Sequence, residues 1–488
     1  MNEDQGAEAL ALLPELILLL GAVGGLLLGL WTPQRSQGRV RAVAVLACLG
    51  SAVAAAVALP DPATAVFEDT WTIDSTTGIV RITVALSTAV VVLLASASVA
   101  GHPRETEAYV LMLLAALGTI ALAAAGDLLL LVAAFLLASF PLYALAGFAK
   151  DTRGTEAALK YYLMGAFSGV LLMIGVTALV LATGSTGYAA VALELSDAPA
   201  PLVAVGVLGV LAGVAFKAGA VPVHFWVPDV TAGTTPAMAA FITTVPKLGA
   251  VAAAFRLLAE PFVAAPVNAS LLVAVLAAAS MTLGNLAAFS QTEVLRLLAY
   301  STVSQVGYLF MVVAVAARTD LAVPALAVYL AGYAVTNIGA FAAAAAAPAA
   351  RTITDWVAAV GRRRWVVVSL TVCLLGLVGT PPTAVFVGKL AVFSAAWDGA
   401  LVWLVVLAAV NTVASLFYYL RWITPAFAGA STSRVAIEGA AGSGPRPSTV
   451  KAQQTTSAAP VAVLHAAAAG SLLLGAGAGL WLAAALPT

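Results

Sequence analysis

Lys217, Lys247 and Lys389 sit inside long apolar stretches of this 488-residue sequence, and no Asp or Glu falls at a comparable depth in those stretches. An ammonium near the middle of a bilayer costs roughly 2.5–3.5 kcal/mol even on the lenient insertion scale. Three in one chain therefore imply a use, and the usual one is a path for ions or protons through a bundle interior. Burial works against the charged form of an amine, and an amine able to release its proton can pass one on. The competing reading is snorkelling, in which the long stem carries its charge out to the interface. That reading suits Lys389, close to a helix end, better than Lys217 or Lys247.

Two helix interruptions accompany these lysines. One is Phe216-Lys217-Ala218-Gly219-Ala220-Val221-Pro222-Val223-His224, and the other is Gly379-Thr380-Pro381-Pro382-Thr383, about two turns before Lys389. Proline removes a backbone donor and clashes with the preceding turn, so each site frees carbonyls that need new partners. Inside a membrane such backbone is tolerated where protein surrounds it or where it lines a wet cavity. His224 follows the first break, and its ordinary pKa suits a proton relay between the cytoplasm and Lys217 or Lys247. It equally suits a structural histidine bonded to a freed carbonyl. His102 and His465 fall at span ends and read as interfacial.

These residues need helices to hold them. With 62% hydrophobic and 9% charged residues and a mean hydropathy of +1.05, the chain reads as an all-α polytopic membrane protein, since soluble domains carry about 25% charged residues. About fourteen spans are expected on a window of roughly 19 residues. With the N-terminus outside, sixteen of the 22 Lys and Arg fall at inner ends, Arg81, Arg256 and Arg318 at outer ends, and the three lysines within spans. This follows the positive-inside rule and puts both termini outside. All 22 carboxylates fall at span ends on the same count. Cys48 and Cys373 lie within spans and offer neither a disulfide framework nor an iron–sulfur ligand set. The acidic start is unlike a cleaved signal peptide, and no nucleic-acid partner is expected.

The two breaks lie five helices apart. Two five-helix units, 105–260 and 261–425, would each carry the break in the fourth helix, so that helices 7 and 12 are the broken pair. An odd number of helices per unit would invert the second copy, and paired broken helices in inverted repeats point to a transporter's ion site. The remaining regions are an N-terminal three-helix segment, 1–104, a Gly/Ser/Thr/Ala-rich cytoplasmic linker, 426–459, and an appended C-terminal helix, 460–488.

Several motifs carry a resemblance. They are Glu156-Ala-Ala-Leu-Lys160-Tyr-Tyr, Phe216-Lys217 through Pro222 and His224 to Asp229-Val230, Leu283-Gly-Asn through Gln291, Leu298 through Ser304-Gln305 to Tyr308, Gly379-Thr-Pro381-Pro382 through Lys389, and Tyr418-Tyr-Leu-Arg421. In this order, over roughly 105–425, the chain resembles the antiporter-like membrane subunits of the proton-pumping NADH:quinone oxidoreductase, complex I, which share a fold with Mrp-type cation/proton antiporters. Pro14-Glu15, Gly284-Asn285 and the Tyr-Tyr-Leu-Arg run favour the N-type subunit over the L and M types.

The resemblance implies a proton-translocating subunit with Lys217 as the central lysine, Lys247 as the link to the second half and Lys389 at the exit side. Glu156, Lys160, Asp229 and the prolines Pro222, Pro381 and Pro382 would support them. It implies no cofactor in this chain, with NAD, FMN, iron–sulfur clusters and quinone in partner subunits, and other membrane-arm subunits and the lipid bilayer as its surroundings in a bacterial cell membrane. The family pairs its helix-seven lysine with a helix-five Glu, and Leu136 stands there instead. Leu295 and Gln305 are further departures, and Ser304-Gln305 resembles the L and M types, as a divergent copy would. Alternatives are a non-pumping structural subunit, a component of an Mrp-type antiporter or membrane-bound hydrogenase, and, least of all, a standalone symporter.

Overall fold

A computed structural model of the chain describes residues 3–59, 61–438 and 458–478. The first segment holds α1 (Glu3–Ala11), α2 (Leu13–Trp31), α3 (Gly38–Ala58) and α4 (Ser75–Val99), with a hairpin of β1 (Thr64–Val66) and β2 (Trp71–Ile73) before α4. Next come α5 (Glu105–Ala124), α6 (Leu128–Leu137), α7 (Phe140–Ala146), α8 (Thr152–Thr183), α9 (Tyr188–Glu194), α10 (Ala200–Ala218), α11 (Trp226–Gly233) and α12 (Pro236–Ala259). The chain continues through α13 (Ala269–Phe289), α14 (Val294–Val313), α15 (Ala322–Ala345), α16 (Ile353–Val360), α17 (Arg364–Val378), α18 (Ala384–Asp398) and α19 (Val402–Glu438), and the last described helix is α20 (Ala458–Ala476).

Among the described residues twelve helices are long and apolar enough to cross a membrane. The two other expected spans correspond to α14 and to the broken pair α17 and α18. A segment of α12 that is wholly buried, and one of α15 that is 89% buried, mark these two helices as the interior. α12 packs on α4, α5, α10, α14 and α15. Both are rich in Ala, and small residues let helices approach where lipid supplies no hydrophobic drive between them.

Among the described residues each ion pair joins residues that the charge count puts on one side of the membrane. Arg81–Glu15 (2.6 Å) and Arg256–Asp74 (3.0 Å) join outer residues, and Lys160–Glu156 (2.8 Å), Lys160–Asp229 (3.0 Å) and Arg296–Asp229 (3.1 Å) join inner ones.

Three local outcomes differ from the sequence reading. Helix five, expected as one span over 127–148, is interrupted between α6 and α7. Pro141 has no N–H to give to Leu137, and Ser139 turns its hydroxyl back onto the Phe135 carbonyl, 2.5 Å away. α19 runs on to Glu438, so helix extends into the first part of the expected linker, and 439–457 lie outside the described residues. The C-terminal helix is packed against α4, α15, α17 and α18, not loosely appended.

Candidate functional site

The two breaks are built alike. Gly219 (φ +75°) ends α10 with its N–H on the carbonyls of Ala215 and Phe216, and Gly379 (φ +90°) ends α17 on those of Leu375 and Gly376. A left-handed residue at a helix end is nearly cost-free only for glycine. A cis X-Pro bond follows each, Val221–Pro222 and Pro381–Pro382. The three proline rings are exposed, while Val221 and Thr383 beside them are buried.

The freed backbone groups find side-chain partners. At the first break the Trp226 indole donates to the Phe216 carbonyl (3.0 Å), and the Val221 N–H donates to Ser280 Oγ (3.0 Å). At the second, Gln305 Nε2 donates to the Leu377 carbonyl (2.8 Å), and the Lys389 amine donates to that of Val378 (2.8 Å).

All three lysines are buried, with side chains 1%, 0% and 3% exposed in chain order. None belongs to an ion pair among the described residues. Lys217, in the last turn of α10, donates to Ser139 Oγ at the helix-five interruption and lies 4.8 Å from the centre of the Phe135 ring. Leu136, half-buried, stands next to that ring in sequence.

Lys247 donates to Thr302 Oγ1 of α14 (2.9 Å). A Cβ on Gly219 would stand 3.2 Å from its amine, so Lys247 also touches the backbone of the first break. Around the proline before it, Tyr333 donates to the Thr243 carbonyl (2.8 Å) and Asn337 to Thr244 Oγ1 (2.8 Å). Lys389 is not snorkelling. Its amine lies 3.9 Å from the Tyr308 ring centre and 3.3 Å from Thr412 Oγ1, where ring and hydroxyl take the place of water around an ammonium.

Between Lys247 and Lys389 runs α14 with a polar stripe. Thr302 holds Lys247; Gln305, one turn on, accepts from Tyr329 OH (2.6 Å) and grips the second break; Tyr308, another turn on, accepts from Thr412 (3.0 Å) and lies under Lys389. Sequence reasoning assigned no role to Ser139, Trp226, Ser280, Thr302, Tyr308, Tyr329 or Thr412. The available signal was the density of hydroxyls and amides at 301–308 in an otherwise apolar span.

The remaining site residues separate into two places. Glu156, Lys160 and Asp229 come together with Arg153, Glu293 and Arg296 around a surface cleft of about 180 Å³. The Lys160 amine lies between two carboxylates, Glu156 of its own helix α8 and Asp229 of α11. His224 lies apart from that cluster, half-buried, with Nδ1 buried and without a hydrogen-bond partner among the described residues. No group of three or more His, Cys, Asp or Glu able to hold a metal occurs among the described residues.

Residues 125–415 match the family model for the membrane domain of NADH:quinone oxidoreductase and Mrp antiporters. The chain is 53% identical to an NADH-quinone oxidoreductase subunit N of Streptomyces griseus over 90% of its own length and 92% of the relative's. It is 46% identical to the subunit N of a Mycobacterium species, covering 88% and 91%. Its fold matches a chain of respiratory complex I from Thermus thermophilus with TM-score 0.79 at 29% identity, covering 96% and 98%. It also matches a chain of the Mrp complex from Dietzia with TM-score 0.79 at 21% identity, covering 99% and 96%, a likeness of fold. With motifs, breaks and relatives in agreement, the chain belongs to the NADH:quinone oxidoreductase/Mrp antiporter membrane family, on its subunit N branch.

Proposed function

We propose that this chain translocates protons as a membrane-arm subunit of a complex I-type NADH:quinone oxidoreductase, through Lys217, Lys247 and Lys389 with water between them. The observation that carries the reading is that three buried amines, each without a carboxylate partner among the described residues, lie at or beside helix breaks and are held by hydroxyls, a ring face or a freed carbonyl. Such partners tolerate both forms of the amine. Hydroxyl and carbonyl oxygens accept from an ammonium and, more weakly, from the N–H of a neutral amine, whereas a carboxylate would lock the charge in place.

At the second break the chemistry is coupled to shape. Protonated Lys389 gives a strong bond to the Val378 carbonyl and a cation–π contact to Tyr308, and the neutral amine gives up the latter. Loading and unloading Lys389 therefore shifts what holds the break. The matched breaks support two oppositely oriented five-helix modules, with conduction along their junction at α12 and α14. His224 would serve the cytoplasmic approach to Lys247, and the Glu156–Lys160–Asp229 cluster would hold α8, α11 and α14 in register. Electron transfer, with its NAD, FMN, iron–sulfur and quinone chemistry, would belong to partner subunits, and the bacterial cell membrane would hold the chain with both termini outside.

The lack of any carboxylate paired with Lys217 among the described residues favours a second reading, a subunit that seals the arm without pumping. One experiment separates the two: protons moved per electron by the complex carrying Lys217→Ala, measured in inside-out vesicles. A lowered ratio, with electron transfer preserved when the gradient is dissipated, supports conduction. An unchanged ratio supports the sealing role.

A further inference from the structure

α20 lies directly against the second break. An ideal Cβ on Gly475 would stand 2.0 Å from the Pro382 carbonyl oxygen, 2.5 Å from the Thr383 carbonyl carbon and 2.8 Å from the Ala384 nitrogen. The contact is backbone against backbone, and only glycine fits it. Pro382–Ala384 is where the chain leaves the break and starts α18, the helix that carries Lys389.

α20 is itself tied down along the same face. Ser471, four residues before Gly475 and fully buried, shares a 3.0 Å hydrogen bond with Thr336 of α15. A Cβ on Gly339 of α15 would stand 2.8 Å from the Ala467 methyl, and His465 Nδ1 lies 2.7 Å from Ser369 Oγ of α17. On the opposite side, the carbonyls just before the break are held by Gln305 and by Lys389 itself.

We infer that α20 is a clamp on the second break and that Gly475 is a positioning residue for Lys389; this rests on the reading that Lys389 carries protons. A methyl at Gly475 would push the start of α18 away by about 1 Å, enough to take the 2.8 Å bond between Lys389 and the Val378 carbonyl beyond good hydrogen-bond range. Gly470, on the same helix, is the control. A methyl there meets only the end of the Val335 side chain, at 3.3 Å, which can give way.

The test uses the intact complex with Gly475→Ala, Gly470→Ala, Lys389→Ala and the Gly475→Ala/Lys389→Ala pair. The readouts are protons moved per electron in vesicles and amide exchange of residues 376–390 in purified complex. Gly475→Ala should lower the ratio to the Lys389→Ala level, and the pair should lower it no further. Exchange at 376–390 should rise about twofold or more in Gly475→Ala and stay unchanged in Gly470→Ala. If Lys389→Ala lowers the ratio while Gly475→Ala leaves ratio and exchange as they were, the clamp is overturned and the proton reading stands. If Lys389→Ala leaves the ratio unchanged, the proton reading fails, and exchange alone decides whether the clamp exists. Should Gly475→Ala block assembly, Ser471→Ala, which removes only the hydroxyl bonded to Thr336, should raise exchange at 376–390, and unchanged exchange would overturn the clamp.

Discussion

Replacing Gln305 by Met would remove the link between α14 and the second break while leaving its packing in place. Gln305 is 1% exposed and bridges two groups, accepting from Tyr329 OH at 2.6 Å and donating to the Leu377 carbonyl at 2.8 Å. Met is unbranched and of similar length, so it fills the same space without a strong donor or acceptor. The hydroxyl and the carbonyl are then left buried and unpaired at about 1–3 kcal/mol each, or about 2–6 kcal/mol together. Only the Leu377 bond belongs to the break, and at 1.4 kcal/mol per factor of ten its low end of about 1 kcal/mol is about 5-fold in the opening equilibrium. Amide exchange of residues 376–390 in the purified complex measures that equilibrium. Protection should fall by about 5-fold or more there, and stay level in α2 and α3, with a lower proton-to-electron ratio in vesicles. Wild-type protection at 376–390 in an assembled Gln305→Met complex would refute the idea that α14 holds the break.

Two other substitutions probe the scaffold and the first half of the site. Glu15→Ala leaves the Arg81 guanidinium, 1% exposed, with the Ala11 carbonyl as its one remaining partner among the described residues, and a buried charge stripped of its partner costs about 3–5 kcal/mol. The purified complex should melt well below wild type, and Glu15→Leu with Arg81→Met should recover most of the loss; an unchanged melting temperature in Glu15→Ala would contradict the pairing. Leu136→Glu puts a carboxylate one turn before Ser139, the hydroxyl that holds Lys217. It should change assembly or the proton-to-electron ratio, and no effect on either would mean that position 136 does not act on Lys217.

Much of this arrangement was legible because the bilayer makes exceptions conspicuous. A lysine or a Pro-Pro pair in an apolar run is costly enough to be seen in one sequence, and the ion pairs among the described residues join residues that the charge count assigns to one face. Contacts set by tertiary approach were not legible. Ser139 reads as an ordinary span residue until the interruption before Pro141 swings it towards Lys217. Gln305 drew notice as a departure from the family, but its two partners lie 24 and 72 residues away. Gly475 is one glycine among 41 in the sequence, and only packing reveals that the Pro382 carbonyl faces it. The hairpin Thr64–Val66 with Trp71–Ile73 is too short for periodicity to register.

The most direct measurement is the number of protons moved per electron by the complex carrying Lys247→Met, since Lys247 joins the first break, at Gly219, to the polar stripe of α14, at Thr302. The account predicts a ratio below wild type, with electron transfer intact once the gradient is dissipated. A wild-type ratio in fully assembled complex would contradict it.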